Sequence, residues 1–177
     1  LGEGISKAGD LSHVTTISIV NDRGVMFNIF TAAVQMSIYE DLFSPALSGT
    51  ITIVDTMNFI THIPIVGDET IEVEFKTPGQ KESIKQKFFI TKVDSKEHGG
   101  DKKLVYVIHF TSPEAVFDVG SRLNRAYSGN AHDIVHQICK ETLELKETEL
   151  EIDDSDNKIK FVSTWWSPFK CINYATS

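Results

Sequence analysis

The sequence predicts a mostly β protein of the α+β class, in which an antiparallel β-barrel or sandwich is followed by a smaller α/β portion. The first observation is a series of about seven short segments before residue 111 in which apolar and polar residues alternate between turn residues. The second is a change at Ser112, after which helix starts and helical spacing replace the alternation. We therefore predict a β-barrel domain at 1–111 and an α/β domain at 112–177.

The strands of the first domain are predicted from residues that alternate or that favour an extended backbone. Residues 14–20 are rich in threonine and β-branched side chains, 21–24 form a turn, and 25–30 return as a hairpin partner. The remaining strands are predicted at 34–39, 50–54, 71–76, 87–93 and 104–110. The other segments are a flexible lead-in at 1–10, a helical turn at 57–63, a turn at 77–79 and a charged loop at 98–101. Many short strands at close spacing are typical of a barrel or a sandwich.

Three helices are predicted in the second domain, each from a cap signal. Ser112 and Ser167 each precede a proline at the first helical position, and Asn130 precedes the helical spacing of the middle helix. The buried face of the last helix is predicted to consist of Phe169, Ile172 and Ala175. A strand at 158–162 has no partner that the sequence reveals. Because the last helix lacks a stop signal, we expect the chain to continue beyond Ser177.

The composition argues against several functional classes. The chain has 177 residues, a formal net charge of −8 and a pI of about 5.2, whereas tight nucleic-acid binding requires clustered Lys and Arg. An acidic surface still suits a passage through which DNA slides, because it repels phosphate. Residues 1–10 lack the apolar run of a signal peptide, and no stretch approaches the ~20 apolar residues of a membrane span. We therefore expect a protein made in a cytoplasm without a membrane anchor.

A histidine pair on the middle helix is the sharpest candidate for chemistry. His132 and His136 are four residues apart and share a helix face, a spacing that suits two ligands of one zinc ion. Asp133 stands where zinc proteases of this pattern have glutamate, and no third ligand follows at their spacing. We therefore interpret Asn130 and Asp133 as the start of a helix and the histidines as ordinary, partly exposed residues.

Three further features are interpreted as structural. The run 153–156, with Asp153, Asp154 and Asp156 around Ser155, offers oxygen ligands for calcium but lacks the glycine and glutamate of an EF-hand, so a solvated turn is favoured. The two cysteines, Cys139 and Cys171, lie among apolar residues of predicted helices. We interpret them as small buried hydrophobic residues. Trp165 and Trp166 are adjacent, which suggests that one is a core residue and the other a surface residue. The alternative is a ligand platform or an interface anchor.

The sequence contains no nucleophile elbow, phosphate-binding glycine loop or dinucleotide-binding motif. We therefore assign no catalytic, cofactor-binding or metal-binding residue, expect no cofactor, and predict that the protein is not an enzyme.

Several phrases, taken in order, resemble one protein family. They are MSIYEDLFSP at 36–45, GTITIVD at 49–55, IPIVGDE at 63–69, IEVEFKTPG at 71–79, FITKVD at 89–94 and WSPF at 166–169. This combination resembles the central baseplate hub protein of contractile-tailed phages, particularly T-even-like phages of marine bacteria. The resemblance covers residues 14–175, and its specificity comes from the order and spacing of the phrases.

The resemblance implies a structural virion protein assembled in the host cytoplasm. Such hubs are trimers whose subunits carry two tube-like β-barrel domains, joining the tail tube to the central spike and contacting other baseplate proteins. DNA passes through without specific binding. By this resemblance 14–110 is the first barrel and 112–177 the start of an inserted α/β portion. The spike hub of a related secretion apparatus shares this tube-like architecture, so both settings remain open.

Two other functions remain as alternatives. One is a stand-alone β-barrel that binds a small ligand in an apolar interior. The other is a zinc-dependent hydrolase that uses His132 and His136. For the hub, the acidic residues that we expect to contribute to a DNA-facing lining are Glu40, Asp41, Glu72 and Glu74.

Overall fold

The computed structural model describes residues 13–41, 44–56, 65, 67–76, 83–98, 103–147 and 150–177. The predictions for 1–10, 57–63, 77–79 and 99–101 lie outside these residues. The chain divides into two compact units, Leu1–Tyr39 with Ser48–Thr111, and Glu40–Leu47 with Ser112–Ser177. That these units correspond to two domains stays a prediction. No helix in the described ranges is long and apolar enough to span a bilayer.

The first unit contains a seven-stranded antiparallel sheet, so the mostly β fold class is confirmed. Its strands are β1 (His13–Val20), β2 (Met26–Asn28), β3 (Ala33–Tyr39), β4 (Ser48–Asp55), β5 (Thr70–Lys76), β6 (Ile84–His98) and β7 (Leu104–Thr111). In space they follow the order β2-β1-β5-β6-β7-β4-β3. Every strand predicted in the first 111 residues is present. The predicted turn at 21–24 is confirmed too, with Gly24 at φ 75°.

The sheet must curl, because its two edge strands are neighbours in the sequence. β2 and β3 stand at opposite ends of the strand order, yet only residues 29–32 join them. Six strand spacings would place the edges of a flat sheet about 29 Å apart. The chain between Asn28 and Ala33 reaches at most about 18 Å. The sheet therefore bends into a half-barrel whose open side lies between β2 and β3.

The concave side of this half-barrel is the core of the first unit. Alternate residues along β4 and β7 are buried, as expected for strands with one apolar face. The fully buried side chains include Ile51, Ile53, Ile71, Phe88, Ile108 and Phe110. The rings of Phe88 and Phe110 lie 4.7 Å apart between centroids. Burial and, second, the nearby Asp55 carboxylate raise the pKa of the Tyr106 phenol to about 12.

The second unit contains a two-stranded ribbon and three helices. The strands are β8 (Ala126–Asn130) and β9 (Lys158–Val162), and the helices are α1 (Pro113–Gly120), α2 (Ala131–Glu141) and α3 (Pro168–Thr176). β8 pairs antiparallel with β9, so the prediction that the strand at 158–162 has no partner is wrong. A bridge between Leu123 and Trp166 extends the pairing. The core of this unit comprises Tyr127, Ile134, Val135, Ile138, Cys139, Leu143, Phe161, Cys171 and Ala175.

Only one of the three predicted caps makes the expected hydrogen bond. The Ser167 hydroxyl accepts from the backbone N–H of Lys170, at 3.3 Å. Ser112 instead accepts from the backbone N–H of Leu47 at 3.1 Å, so it holds residues 40–47 to the second unit rather than capping α1. Asn130 makes no side-chain cap; its amide donates to the carboxylate of Asp133.

Candidate assembly surface

β3 leaves one of its two edges unpaired within the described part of the chain. All of its described ladder contacts are to β4, from Ala33 opposite Ile53 to Tyr39 opposite Ser48. Val34 and Tyr39 are more than half exposed. An edge strand of seven residues with exposed apolar side chains is a template for another strand, and folded proteins usually protect such edges.

The opposite edge of the sheet is also apolar. β2 is three residues long and pairs with only part of β1. Around it Val25, Met26 and Phe30 are exposed by 47, 58 and 42% of their surface. Exposed apolar residues in such density mark an interaction surface more often than single scattered ones do. Sequence reasoning assigned these residues to a hairpin strand and did not identify them as a surface.

The segment 29–32 fixes the two edges relative to each other. Ile29 is buried, and its backbone N–H donates to the carbonyl of Ile17 on β1, at 2.9 Å. The N–H of Val54 on β4 donates to the carbonyl of Ala32, also at 2.9 Å. Beside this segment lies a hollow of about 350 Å³ that Val34 helps to line. We refer to β2, residues 29–32 and β3 together as the seam.

The convex face of the sheet carries balanced charges where an acidic lining was expected. Glu72 lies directly opposite Lys87, and Glu74 opposite Lys85, in the register of β5 and β6. Opposite charges at directly paired positions lower the net charge of this face. Glu40 and Asp41 follow the end of β3 and belong to the second unit rather than to a strand of the sheet.

A hollow of about 230 Å³ lies on this charged face, within reach of β1, β5 and β6. Ser18 lines it and is only 2% exposed, and its hydroxyl has no hydrogen-bond partner among the described atoms. The space is large enough for several water molecules, which can satisfy such a hydroxyl.

The histidine pair on α2 does not converge on one point. His132 Nδ1 lies 2.9 Å from the backbone N of Ser155, and its Nε2 lies 3.1 Å from a carboxylate oxygen of Asp133. His136 Nε2 lies 2.9 Å from a carboxylate oxygen of Glu147. No group of three or more His, Cys, Asp or Glu within the described ranges is arranged to hold a metal ion. The contacts of the two rings are thus explained by the segment that packs beside α2.

The acidic run 153–156 has no strand or helix structure and leads into β9. The side chain of Asp154 is fully exposed, and that of Asp153 is exposed as well. Ser155 contacts His132 through its backbone, and a carboxylate oxygen of Asp154 lies 3.9 Å from His132 Nε2. This arrangement matches the solvated turn predicted from the sequence.

Both cysteines are buried in the core of the second unit, as predicted. Cys139 is 7% exposed and Cys171 is fully buried, and both are free thiols. Burial is the main cause that raises the pKa of each thiol. A raised thiol pKa disfavours the reactive thiolate, so these residues are packing groups.

Trp165 and Trp166 divide the core and surface roles as predicted. The Trp166 ring stacks on Phe161 at 6.0 Å between centroids and is tilted against Tyr174 at 5.4 Å, and the Lys170 ammonium lies 4.8 Å from its centroid. Trp165 is 72% exposed and has a φ of 61°, a left-handed conformation that is rare for bulky side chains.

No protein-family model matches the sequence, and no curated protein matches it either. Among solved structures, the E. coli c3393 protein superposes with a TM-score of 0.50 at 14% sequence identity. The chain shares the fold of this protein. The match covers 96% of this chain but only 41% of c3393, which is described as a component of the type VI secretion system with structural similarity to the T4 bacteriophage tail proteins gp27 and gp5.

A second similar structure is the lidded Francisella PdpA–VgrG complex. The match covers 86% of this chain and 23% of the chain in that complex, at 12% sequence identity and a TM-score of 0.43. That score is too low to add to the fold assignment, which therefore comes from c3393.

Proposed function

We propose that the chain is a structural part of a baseplate hub, in a contractile phage tail of the T-even type or in a related secretion machine. Copies associate as a trimer around a central passage, and the trimer joins a tube to a central spike. The observation that carries this proposal is the seam, where a half-barrel presents two apolar, unpaired strand edges in the described structure. The shared fold with a secretion-system component supports the same function.

The energetics of the seam favour a permanent assembly. A neighbouring strand on β3 would pair its free edge and cover Val34 and Tyr39 together. Each apolar side chain covered in this way contributes roughly 1–2 kcal/mol. A permanent interface should bury more than about 2,000 Å², so the seam needs further contacts around it.

The proposed setting accounts for the composition. The net charge of −8 discourages a grip on phosphate, so DNA passes without specific binding. Residues 1–111 would form the first tube-like domain, and 112–177 the start of an inserted α/β portion. The chain spans about two-fifths of the length of c3393. The protein would reside in the virion or the secretion machine and act through its shape rather than as an enzyme.

The interior of the sheet does not favour the ligand-binding alternative. Large side chains of the concave face pack against each other, as the rings of Phe88 and Phe110 do. The zinc hydrolase alternative needs ligands that converge, whereas His132 and His136 contact different groups.

Lysine substitutions at the seam test the proposal. Met26→Lys together with Val34→Lys should convert trimers of the full chain into monomers at about 50 µM, because charged residues on a strand edge oppose pairing. Sedimentation velocity gives the masses. Val119→Lys is the control, since Val119 is 75% exposed on α1, away from the seam in the sequence. Wild-type chain that stays monomeric at this concentration would contradict the proposed trimer.

A further inference from the structure

A β-bulge just beyond the end of β9 turns Trp165 outward. The N–H of Ser163 donates to the carbonyl of Arg125 at 2.9 Å, and the next bridge joins Leu123 to Trp166. Between these two contacts one residue lies on the first strand and two lie on the second, which defines a bulge. Because the extra residue shifts the alternation of faces by one position, Trp166 packs on the core and Trp165 faces outward.

The outward position of Trp165 carries a cost in backbone energy. Its φ of 61° lies in the left-handed region, where glycine is the usual residue of a bulge. The side chain is 72% exposed, and its ring contacts no other ring within the described ranges. Strained residues of this kind concentrate at binding sites, and tryptophan is enriched among the side chains that dominate protein interfaces. We therefore interpret Trp165 as a residue that binds a partner.

The bulge stands at one end of an open strand edge. In an antiparallel pair, residues that exchange hydrogen bonds alternate with residues whose N–H and C=O groups point away from the partner strand. The bond at Ser163 and a second bond, from the N–H of Ala131 to the carbonyl of Asn157 at 2.9 Å, both involve odd-numbered residues of this strand. The even-numbered residues of β9 therefore direct their backbone groups away from β8; they are Lys158, Lys160 and Val162. No other described strand pairs with β9, so this edge is able to accept a third strand.

The side chains along this edge are apolar near the bulge and basic farther from it. Lys160 and Val162 are exposed on the face opposite the core, Val162 by 58% of its surface. Asp156 stands two residues before Lys158, at the end far from Trp165, and offsets part of the charge of that lysine. Lys160 lies closer to Trp165 and forms no ion pair with any residue that the structure describes. We refer to Lys160, Val162 and Trp165, with the open side of β9, as the ribbon edge.

We propose that the ribbon edge binds an extended segment of a partner protein, which adds to β9 as an antiparallel third strand. Apolar side chains of the segment cover Trp165 and Val162, and an acidic side chain pairs with Lys160. Because the side chains of one face recur at every second residue, the segment has the pattern apolar-x-apolar-x-acid in its own chain direction. The inference goes beyond the proposed function, since it concerns the second unit and does not involve the seam.

The charge of the edge decides which strands it accepts. Lysine on an edge strand usually discourages pairing, because it repels other basic strands, including β9 of another copy. A segment with a carboxylate at the matching position is attracted instead, which sets both its register and its specificity. Nucleic acid is a poor occupant, because one unpaired lysine neutralises few phosphates and the whole chain carries a charge of −8.

Two capped peptides, TVTVTET and TVTVTKT, test the edge by isothermal titration calorimetry with the full chain. The glutamate peptide should bind at least about tenfold more tightly at low salt, and Lys160→Glu should reverse this preference. Lys103→Glu, which makes the same change in charge on the first unit, should leave the preference within about twofold of wild type.

Trp165→Gly separates binding from folding. Affinity for TVTVTET should fall at least about tenfold, because the anchoring ring is lost. The urea midpoint should not fall, since glycine takes the left-handed conformation without strain. Hydrogen exchange of the Lys160 and Val162 amides, followed by NMR, should slow when TVTVTET binds, because these N–H groups point to the added strand.

The outcomes distinguish this inference from the proposed function. Equal affinity for the two peptides, or full affinity in Trp165→Gly, would show that the ribbon edge does not bind such a segment, while the seam proposal would stand. If the Lys160 and Val162 amides become protected by raising the concentration of the chain alone, the edge pairs with a second copy and the inference is wrong. Selective peptide binding by a chain that remains monomeric would support the inference and contradict the proposed trimer.

Discussion

Replacing Gly49 by alanine is expected to lower the free energy of unfolding by about 3 kcal/mol. Gly49 lies on β4, is buried, and stands beneath the ring of Phe110. A Cβ atom at this position would overlap the Phe110 Cζ atom and the backbone carbonyl oxygen of Ser37, and would lie 2.6 Å from Phe110 Cε2. The carbonyl belongs to the neighbouring strand and cannot move aside without disturbing the pairing of β3 and β4.

Gly120→Ala is the matched control for this change. Gly120 ends α1, and a Cβ there would meet no atom within 4 Å. We expect its effect to remain within about 0.5 kcal/mol. Urea unfolding followed by far-ultraviolet circular dichroism measures both variants. Equal stability of the two would show that β4 and Phe110 do not approach as closely as described.

Replacing Trp166 by alanine is expected to lower the free energy of unfolding by about 3 kcal/mol, because it removes a large ring from the second core. The ring bridges Phe161 and Tyr174 and carries Lys170 over one face. The adjacent Trp165 supplies an unusually close control, since it is exposed and lies in the left-handed region. Trp165→Ala should change stability by less than about 0.5 kcal/mol.

Fluorescence distinguishes the two tryptophans directly. They are the two tryptophans of the chain, and both belong to the second unit, so each single variant retains one reporter there. Trp166→Ala should leave red-shifted emission from the exposed Trp165, whereas Trp165→Ala should leave blue-shifted emission. Urea titrations of both variants give the stabilities. Similar losses for the two would contradict the division into one core and one surface residue.

The strands of the first unit were predictable because burial on one face imposes a period of two. At 71–76, for example, Ile71 and Val73 face the core while Glu72 and Glu74 face away. β8 was not predicted, because its sequence, AYSGN, consists mostly of residues that disfavour strands. It forms because Tyr127 packs with Phe161 in the second core, a contact between residues far apart in sequence.

The position of the seam was harder to predict from the sequence than the strands were. Alternation marks which residues share a face, but it does not say which strands lie at the edges of a sheet. Val34 was predicted on a strand, and the fold places it at an irregularity of the β3–β4 register, on the strand that is last in the spatial order. The position of Glu72 and Glu74 opposite two lysines likewise depends on a register with β6 that only the fold provides.

Electron microscopy of the wild-type chain at a concentration above its association threshold tests the central claim most directly. The hub proposal predicts ring-shaped particles with threefold symmetry and a central opening, in which the seam of one copy faces a neighbour. Compact monomers without a central opening, under conditions where the sheet is folded, would contradict it.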